Sequence, residues 1–191
     1  IRAVAGQSGR HLTEYGASFG EPVDPSHYRL TTADGLVYEI DQQLGVRKVT
    51  DTASETSLTY SADGVRHSTG VGIDFVRDPQ GRITQLRLPD GQTIDYAYSA
   101  AGDLIGVTDQ VDETTTFDYV ADPRYPHYLH DIVDPRNIRV TRNEYDDSGR
   151  LVATIDADNH RIEYDHDIAG RTSVIKDRRQ NTFVYVYDDS G

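Results

Sequence analysis

Polar and apolar positions alternate from Arg161 to His166 and again from Phe183 to Tyr187. Ile162, Tyr164 and His166 take one side and Arg161, Glu163 and Asp165 the other, and Phe183, Tyr185 and Tyr187 resume the pattern. Period two with aromatic and branched residues on one side predicts half-buried β-strands. The same alternation marks Ile94, Tyr96 and Tyr98, the run Ile73-Asp74-Phe75-Val76 and, more loosely, Tyr28 to Asp41. Short apolar-rich runs, Leu151-Val152-Ala153-Thr154-Ile155 and Thr172-Ser173-Val174-Ile175, precede the aromatic strands, with a polar corner between. One unit therefore reads strand, turn, strand, turn.

The units recur at a fixed step. Gly149, Gly170 and Gly191 stand at equal intervals, and the same interval separates Gly81 from Gly102 and Tyr98 from Tyr119. Asp109, Asp156 and Asp177 hold one constant place after a glycine of the series (Gly102, Gly149, Gly170). A fixed period of this size marks a repeat architecture in which each unit buries its face against its neighbours. The glycines are expected to supply positive φ where the chain reverses, as are Asp34-Gly35, Asp90-Gly91 and Asp158-Asn159 at the other corners. Recurring aspartates at such corners read as acceptors for turn amides. The expected architecture is all-β: tandem antiparallel hairpins added side by side and curving with strand twist into an arc of a spiral shell.

Two stretches break the step. Residues 1–27, punctuated by Gly6, Gly9, Gly16, Gly20, Pro22 and Pro25, read as a lead-in with one short strand around Leu12 to Tyr15. Looser units fill 28–81, where the interval from Gly64 to Gly81 is shortened; regular units fill 81–123 and 145–191. At 121–135 Pro123 stands where a glycine is expected, and Pro126, Pro135, Tyr125, His127, Tyr128 and His130 crowd the same stretch. This reads as an expanded turn, with Tyr125, His127, Tyr128 and His130 as a candidate contact point for a partner.

The sentence Tyr145-Asp146-Asp147-Ser148-Gly149-Arg150-Leu151, its restart at His166-Asp167-Ile168-Ala169-Gly170-Arg171, and Tyr187-Asp188-Asp189-Ser190-Gly191 resemble the tyrosine-aspartate repeats of the Rhs family. That family includes bacterial polymorphic toxins, the cocoon components of Tc insecticidal toxins, and teneurins. The resemblance covers about Tyr28 to Gly191. Gly81, Tyr98, Gly102, Asp109, Tyr119, Tyr145, Gly149, Asp156, Tyr164, Gly170, Asp177, Tyr187 and Gly191 are the repeat positions. It implies a secreted or cell-surface bacterial shell that encloses or displays a C-terminal effector, or, in the teneurin manner, an adhesion scaffold for protein or glycan. Its implied partners are the rest of that shell and the effector. The resemblance also brings an autoproteolytic motif, Asp-Pro-x-Gly-Leu, which Asp78-Pro79-Gln80-Gly81-Arg82 approaches but departs from at Arg82. The Asp-Pro corners at Asp78, Asp122 and Asp134 read as ordinary turns.

Composition narrows the chemistry. A formal net charge of −13 opposes binding to a phosphate backbone or an anionic membrane surface. The absence of cysteine removes disulfides and thiolate zinc sites, and the absence of methionine reads as a processed or excised piece. No apolar run approaches the ~20 residues of a membrane span. No metal or cofactor is expected. His127 and His130 would point to opposite faces of a strand, and Asp156-Ala157-Asp158-Asn159-His160 starts like a calcium loop but carries Arg161 where glycine is required. No Gly-x-Ser-x-Gly, phosphate loop or His-Glu-x-x-His occurs, so the reading is not an enzyme. The thirteen tyrosines read first as packing residues on the alternating face. Two open sheet edges make edge-to-edge dimerisation an expected way to stay soluble.

Overall fold

The computed structural model describes Val4–Ala5, Leu12–Tyr15, Pro22–Val23 and residues 26–188, and no described residue is helical. Residues 1–27 contain more than the one expected strand: β1 (Val4–Ala5), β2 (Leu12–Tyr15) and β3 (Pro22–Val23) form a small antiparallel sheet. From β4 (His27–Thr31) onward, sixteen strands follow in one open sheet whose spatial order is the chain order. The chain divides into two compact units, residues 1–76 with 86–92 and residues 77–85 with 93–191.

In the first unit, β4 is followed by β5 (Leu36–Asp41), β6 (Gly45–Asp51), β7 (Thr56–Ser61), β8 (Gly64–His67) and most of β9 (Gly72–Arg77), each antiparallel to the one before. The Asp34-Gly35 corner forms as its sequence demands: Gly35 has φ of 90° and its amide donates to the Thr32 carbonyl. The short spacing between Gly64 and Gly81 arises because β8 is only four residues long and returns through Ser68–Val71. Gly64 is buried in β8, where a Cβ would collide with the carbonyl oxygen of Ile73 across the ladder.

After β10 (Ile83–Arg87), which divides between the units, the second unit runs through β11 (Thr93–Tyr98), β12 (Leu104–Thr108), β13 (Thr114–Tyr119), β14 (Leu129–Val133), β15 (Arg139–Tyr145), β16 (Leu151–Asp156), β17 (Arg161–Asp167), β18 (Thr172–Lys176) and β19 (Thr182–Val186). Registers place Tyr96 opposite Val107, Phe117 opposite Ile132, Tyr164 opposite Ile175 and Ile175 opposite Phe183, so one face is apolar and aromatic. The other face is charged. Arg142 meets Asp131 through two bonds of 2.8 and 2.7 Å, Arg161 lies 2.7 Å from Glu144 and 3.2 Å from Glu163, and Lys176 lies 3.7 Å from Glu163. Opposite charges facing each other across strands fix register, which a one-residue slip would invert.

Burial is shallow. Among the described residues only Val37 and Ala153 are buried apolar side chains, and no large side chain is fully buried. Where strand contacts are described, each strand touches only the strands before and after it. This is the energetic signature of a repeat array, in which stability comes from nearest-neighbour ladders and not from a central core.

Candidate functional site

The feature repeated most faithfully is the corner. At Asp78, Asp109, Asp134, Asp146, Asp156 and Asp177 the carboxylate Oδ1 accepts the amides of residues i+2 and i+4, at 2.8–3.0 Å. The backbone closes the same five residues twice, with N–H of i+3 to C=O of i and N–H of i to C=O of i+4. Residue i+3 takes the left-handed conformation: Gly81, Asp112, Asn137, Gly149, Asn159 and Gln180 have φ between 61° and 82°. Two backbone bonds and two side-chain bonds hold the corner, so residues other than glycine can occupy a position that costs roughly 1–2 kcal/mol.

At Asp78, Asp134, Asp146, Asp156 and Asp177 the carboxyl lies below its ordinary range. The Arg150 amide is the largest influence keeping the Asp146 carboxyl below its ordinary range, the Ile138 amide does the same for Asp134, and the Asn181 side chain for Asp177. At Asp78 burial pushes upward, but the Arg82 side chain and amide outweigh it.

Gly170 departs from the expectation of positive φ. Arg171 takes the left-handed place instead, with φ of 53°. The Gly170 amide donates to the Asp167 carboxylate, which a Cβ at 170 would push aside. Gly191 lies outside the described residues.

A second feature is the aromatic brace. The hydroxyl of Tyr98 donates to the carbonyl of Ile83 at 2.8 Å, that of Tyr119 to Leu104 at 2.9 Å, and that of Tyr145 to Leu129 at 2.9 Å. His166 stands in for tyrosine in the next unit, with Nε2 3.1 Å from the Leu151 carbonyl. A carbonyl only accepts, so Nε2 carries the proton. Each acceptor is the first residue of the preceding strand. At the three tyrosines the ladder to the following strand shifts register, at Ala97/Tyr98, Asp118/Tyr119 and Glu144/Tyr145. The Arg82 guanidinium lies 4.5 Å from the centre of the Tyr98 ring, tying corner to brace. Burial raises the Tyr119 and Tyr145 phenols above their ordinary range. Tyr145→Phe is expected to cost about 1 kcal/mol, the worth of one neutral hydrogen bond, and to lower the melting temperature by about 2–4 °C in a circular dichroism melt. The exposed Tyr185 gives the control, with no measurable shift on Tyr185→Phe.

The irregular stretch differs from its expected form. Residues 129–133 are strand β14, so the insertion is confined to residues 120–128. Its two tyrosines are half-buried against neighbouring turns, while His127 is exposed. The Tyr125 hydroxyl donates to the Asp147 carbonyl, and Tyr128 packs 4.9 Å from Tyr145 between ring centres. His127 Nδ1 lies 2.5 Å from Asp103. The loop therefore bridges the turn before it and the turn after it on one edge of the sheet, and presents Pro123, Arg124 and Pro126 outward. His130 pairs with Asp131 at 3.2 Å, so the two histidines serve different carboxylates.

The described residues bring together one metal-like grouping, Asp156, Asp158 and His160, whose ligand atoms lie within 4.8 Å of one another. Asp156 already spends Oδ1 on two turn amides, and its Oδ2 lies 3.3 Å from His160 and 3.7 Å from Arg178. A guanidinium at that position competes with a cation. Asp78, the aspartate of the Asp-Pro-x-Gly stretch, has its oxygens engaged by the Gln80 and Arg82 amides and the Arg82 side chain. No described helix is long and apolar enough to cross a membrane.

Aspartate-closed corners, a recurring tyrosine or histidine brace and contacts confined to chain neighbours define a tandem β-hairpin repeat protein. The family model described as RHS Repeat matches residues 77–114, a stretch that spans the corners at Asp78 and Asp109 and the Tyr98 brace. Among solved structures, the crystal structure of TcdB2-TccC3-Cdc42 is similar at 12% identity with a TM-score of 0.34, covering 92% of this chain and 13% of that one. No curated protein matches the chain.

Proposed function

We propose that this chain is a non-catalytic stretch of wall in a secreted or delivered Rhs-type shell that encloses or displays a C-terminal effector. The observation that carries the reading is the division of labour in the second unit. One face is apolar and aromatic, the other is charged, and at six corners the aspartate Oδ1 is already engaged by two amides that hold the turn. Such a segment extends laterally by adding strands, and its acidic surface keeps it soluble. The Rhs repeat at 77–114 supports the assignment to a shell.

The reading is tested in the longer protein carrying this segment. Its C-terminal region is expected to resist added protease while the wall is intact, and to become cleavable when Gly64→Ala or Gly149→Ala loosens the wall. Equal cleavage of the intact and loosened forms overturns enclosure. For the non-catalytic part, the chain and its Asp78→Asn variant are expected to stay intact alike on prolonged incubation, read by mass spectrometry. A fragment ending at Asp78 that Asp78→Asn abolishes contradicts it.

A further inference from the structure

The histidine brace is built differently from the three tyrosine braces, and the difference sets a base against a hydroxyl. Tyr98, Tyr119 and Tyr145 each face a leucine across the ladder to the following strand, Leu104, Leu129 and Leu151, and each of those ladders shifts register. In the next unit histidine replaces tyrosine, Ser173 replaces leucine, and the β17–β18 ladder runs through to Asp167 without a shift. His166 therefore lies directly opposite Ser173, with its Nδ1 3.3 Å from the Ser173 Oγ. Because Nε2 carries its proton toward the Leu151 carbonyl, Nδ1 of the neutral ring presents a lone pair and the serine hydroxyl is the donor. A hydroxyl donating to an imidazole whose far nitrogen is pinned by a third group is the arrangement that activates a nucleophile, and such bonds are often long before a substrate binds.

The geometry points to Ser173 as an acylation site, with His166 as its general base and an activated carboxylic ester as the acyl donor. Ser173 Oγ adds to the carbonyl carbon of the donor as its proton passes to His166 Nδ1. The bond from that carbon to the leaving oxygen then breaks, the leaving alcohol departs with the proton from Nδ1, and the acyl group stays esterified to Ser173. Nε2 keeps its bond to the Leu151 carbonyl throughout. That carbonyl orients the ring but carries no full charge, so it stabilises the imidazolium less than the carboxylate of a triad does. One acyl group per chain is a modification and requires no turnover.

The surroundings favour an apolar acyl group. His166 and Ser173 are both half-buried on the aromatic face. Tyr164, two residues back along β17, holds its ring parallel to the imidazole, with 4° between the planes and 6.5 Å between the centres, and Tyr185 lies opposite Ser173 on β19. Aromatic surface therefore flanks the serine on both sides. The neighbouring hydroxyl provides an internal comparison, since Thr172 takes the other face of the strand and donates to the Gly170 carbonyl.

The test is incubation of the whole chain with p-nitrophenyl acetate, followed by peptide mass spectrometry. An acetyl group is expected on Ser173, gained at least roughly tenfold faster than on Thr172, as general-base assistance requires. His166→Tyr restores the brace of the other units and removes the base, while His166→Gln offers the Leu151 carbonyl an amide donor and no base. Both are expected to lower the rate at Ser173 to that at Thr172, with unchanged circular dichroism. Ser173→Ala is expected to abolish the fast acetylation without moving the slow reaction at Thr172. An unmodified Ser173, acetylation no faster than at Thr172, or an equal rate in the two histidine variants overturns the proposal.

Discussion

Gly64→Ala is expected to destabilise the first unit by about 3 kcal/mol, the upper end of the usual range for overpacking, because the atoms it meets cannot yield. The added methyl meets the Ile73 carbonyl oxygen, with the Ile73 carbonyl carbon at 3.1 Å and the Asp74 Cα at 3.2 Å. All three are backbone, so relief requires β8 and β9 to separate at the pair Gly64–Asp74, where the Phe75 amide also donates to Asp63. Positive φ, 149° at Gly64, adds to the cost. Gly45→Ala is the matched control. Gly45 has φ of 74°, yet a Cβ there meets nothing within 4 Å, so only the conformational cost of about 1–2 kcal/mol remains. Urea unfolding followed by circular dichroism separates them, and hydrogen exchange is expected to locate the Gly64→Ala damage at β8 and β9. Equal midpoints for the two variants contradict the close approach.

Acid is expected to unfold the chain through its corners. Nine described aspartates, Asp41, Asp51, Asp78, Asp122, Asp131, Asp134, Asp146, Asp156 and Asp177, have folded values below the ordinary 3.8. Below that value the unfolded chain binds more protons than the folded one, so stability falls as pH falls. The contribution is fully present well above pH 3.8 and is withdrawn progressively beneath it. At the other end Tyr119 and Tyr145, raised above 10.0, favour the folded state while neutral, and that contribution is lost as pH rises past 10. A plateau between the two limits is expected in urea midpoints measured against pH. The combined variant Asp134→Asn, Asp146→Asn, Asp156→Asn and Asp177→Asn keeps an acceptor oxygen at each corner but no titrating group. It is expected to be less stable at neutral pH and to show a shallower acid limb. An unchanged acid slope contradicts the corner account.

The regular units were readable because strand and turn lengths are constant. With one interval shared by Gly81 to Gly102 and Gly149 to Gly170, the alternation around Tyr98, Tyr164 and Phe183 could only be tandem hairpins, and the strands β10–β13 and β16–β19 follow that interval. Two-sided patterning suffices for such strands because each needs only its neighbours. The corners were legible by their aspartates but not by their left-handed residues. Asp112, Asn137, Gln180 and Arg171 reach positive φ because hydrogen bonds close the turn around them, a cause that glycine counting misses. The tyrosine brace shows in sequence only as a recurring distance between a hydroxyl donor and the start of the strand before it, a spacing without meaning until the hairpin is folded. The 120–128 bridge and the close approach at Gly64 depend on which turns share an edge and which backbones meet, and local pattern does not encode either.

The central claim is that near-equivalent hairpins add laterally, each held by the next. Removal of residues 150–170 takes out one full period and joins Gly149 to Arg171, so that β15 meets β18 through a corner of the same construction. Circular dichroism and cooperative urea unfolding are expected to show a folded β protein of reduced midpoint, whereas removal of residues 150–160, half a period, is expected to abolish cooperative unfolding of the second unit. Equal loss of structure in the two deletions would contradict lateral addition.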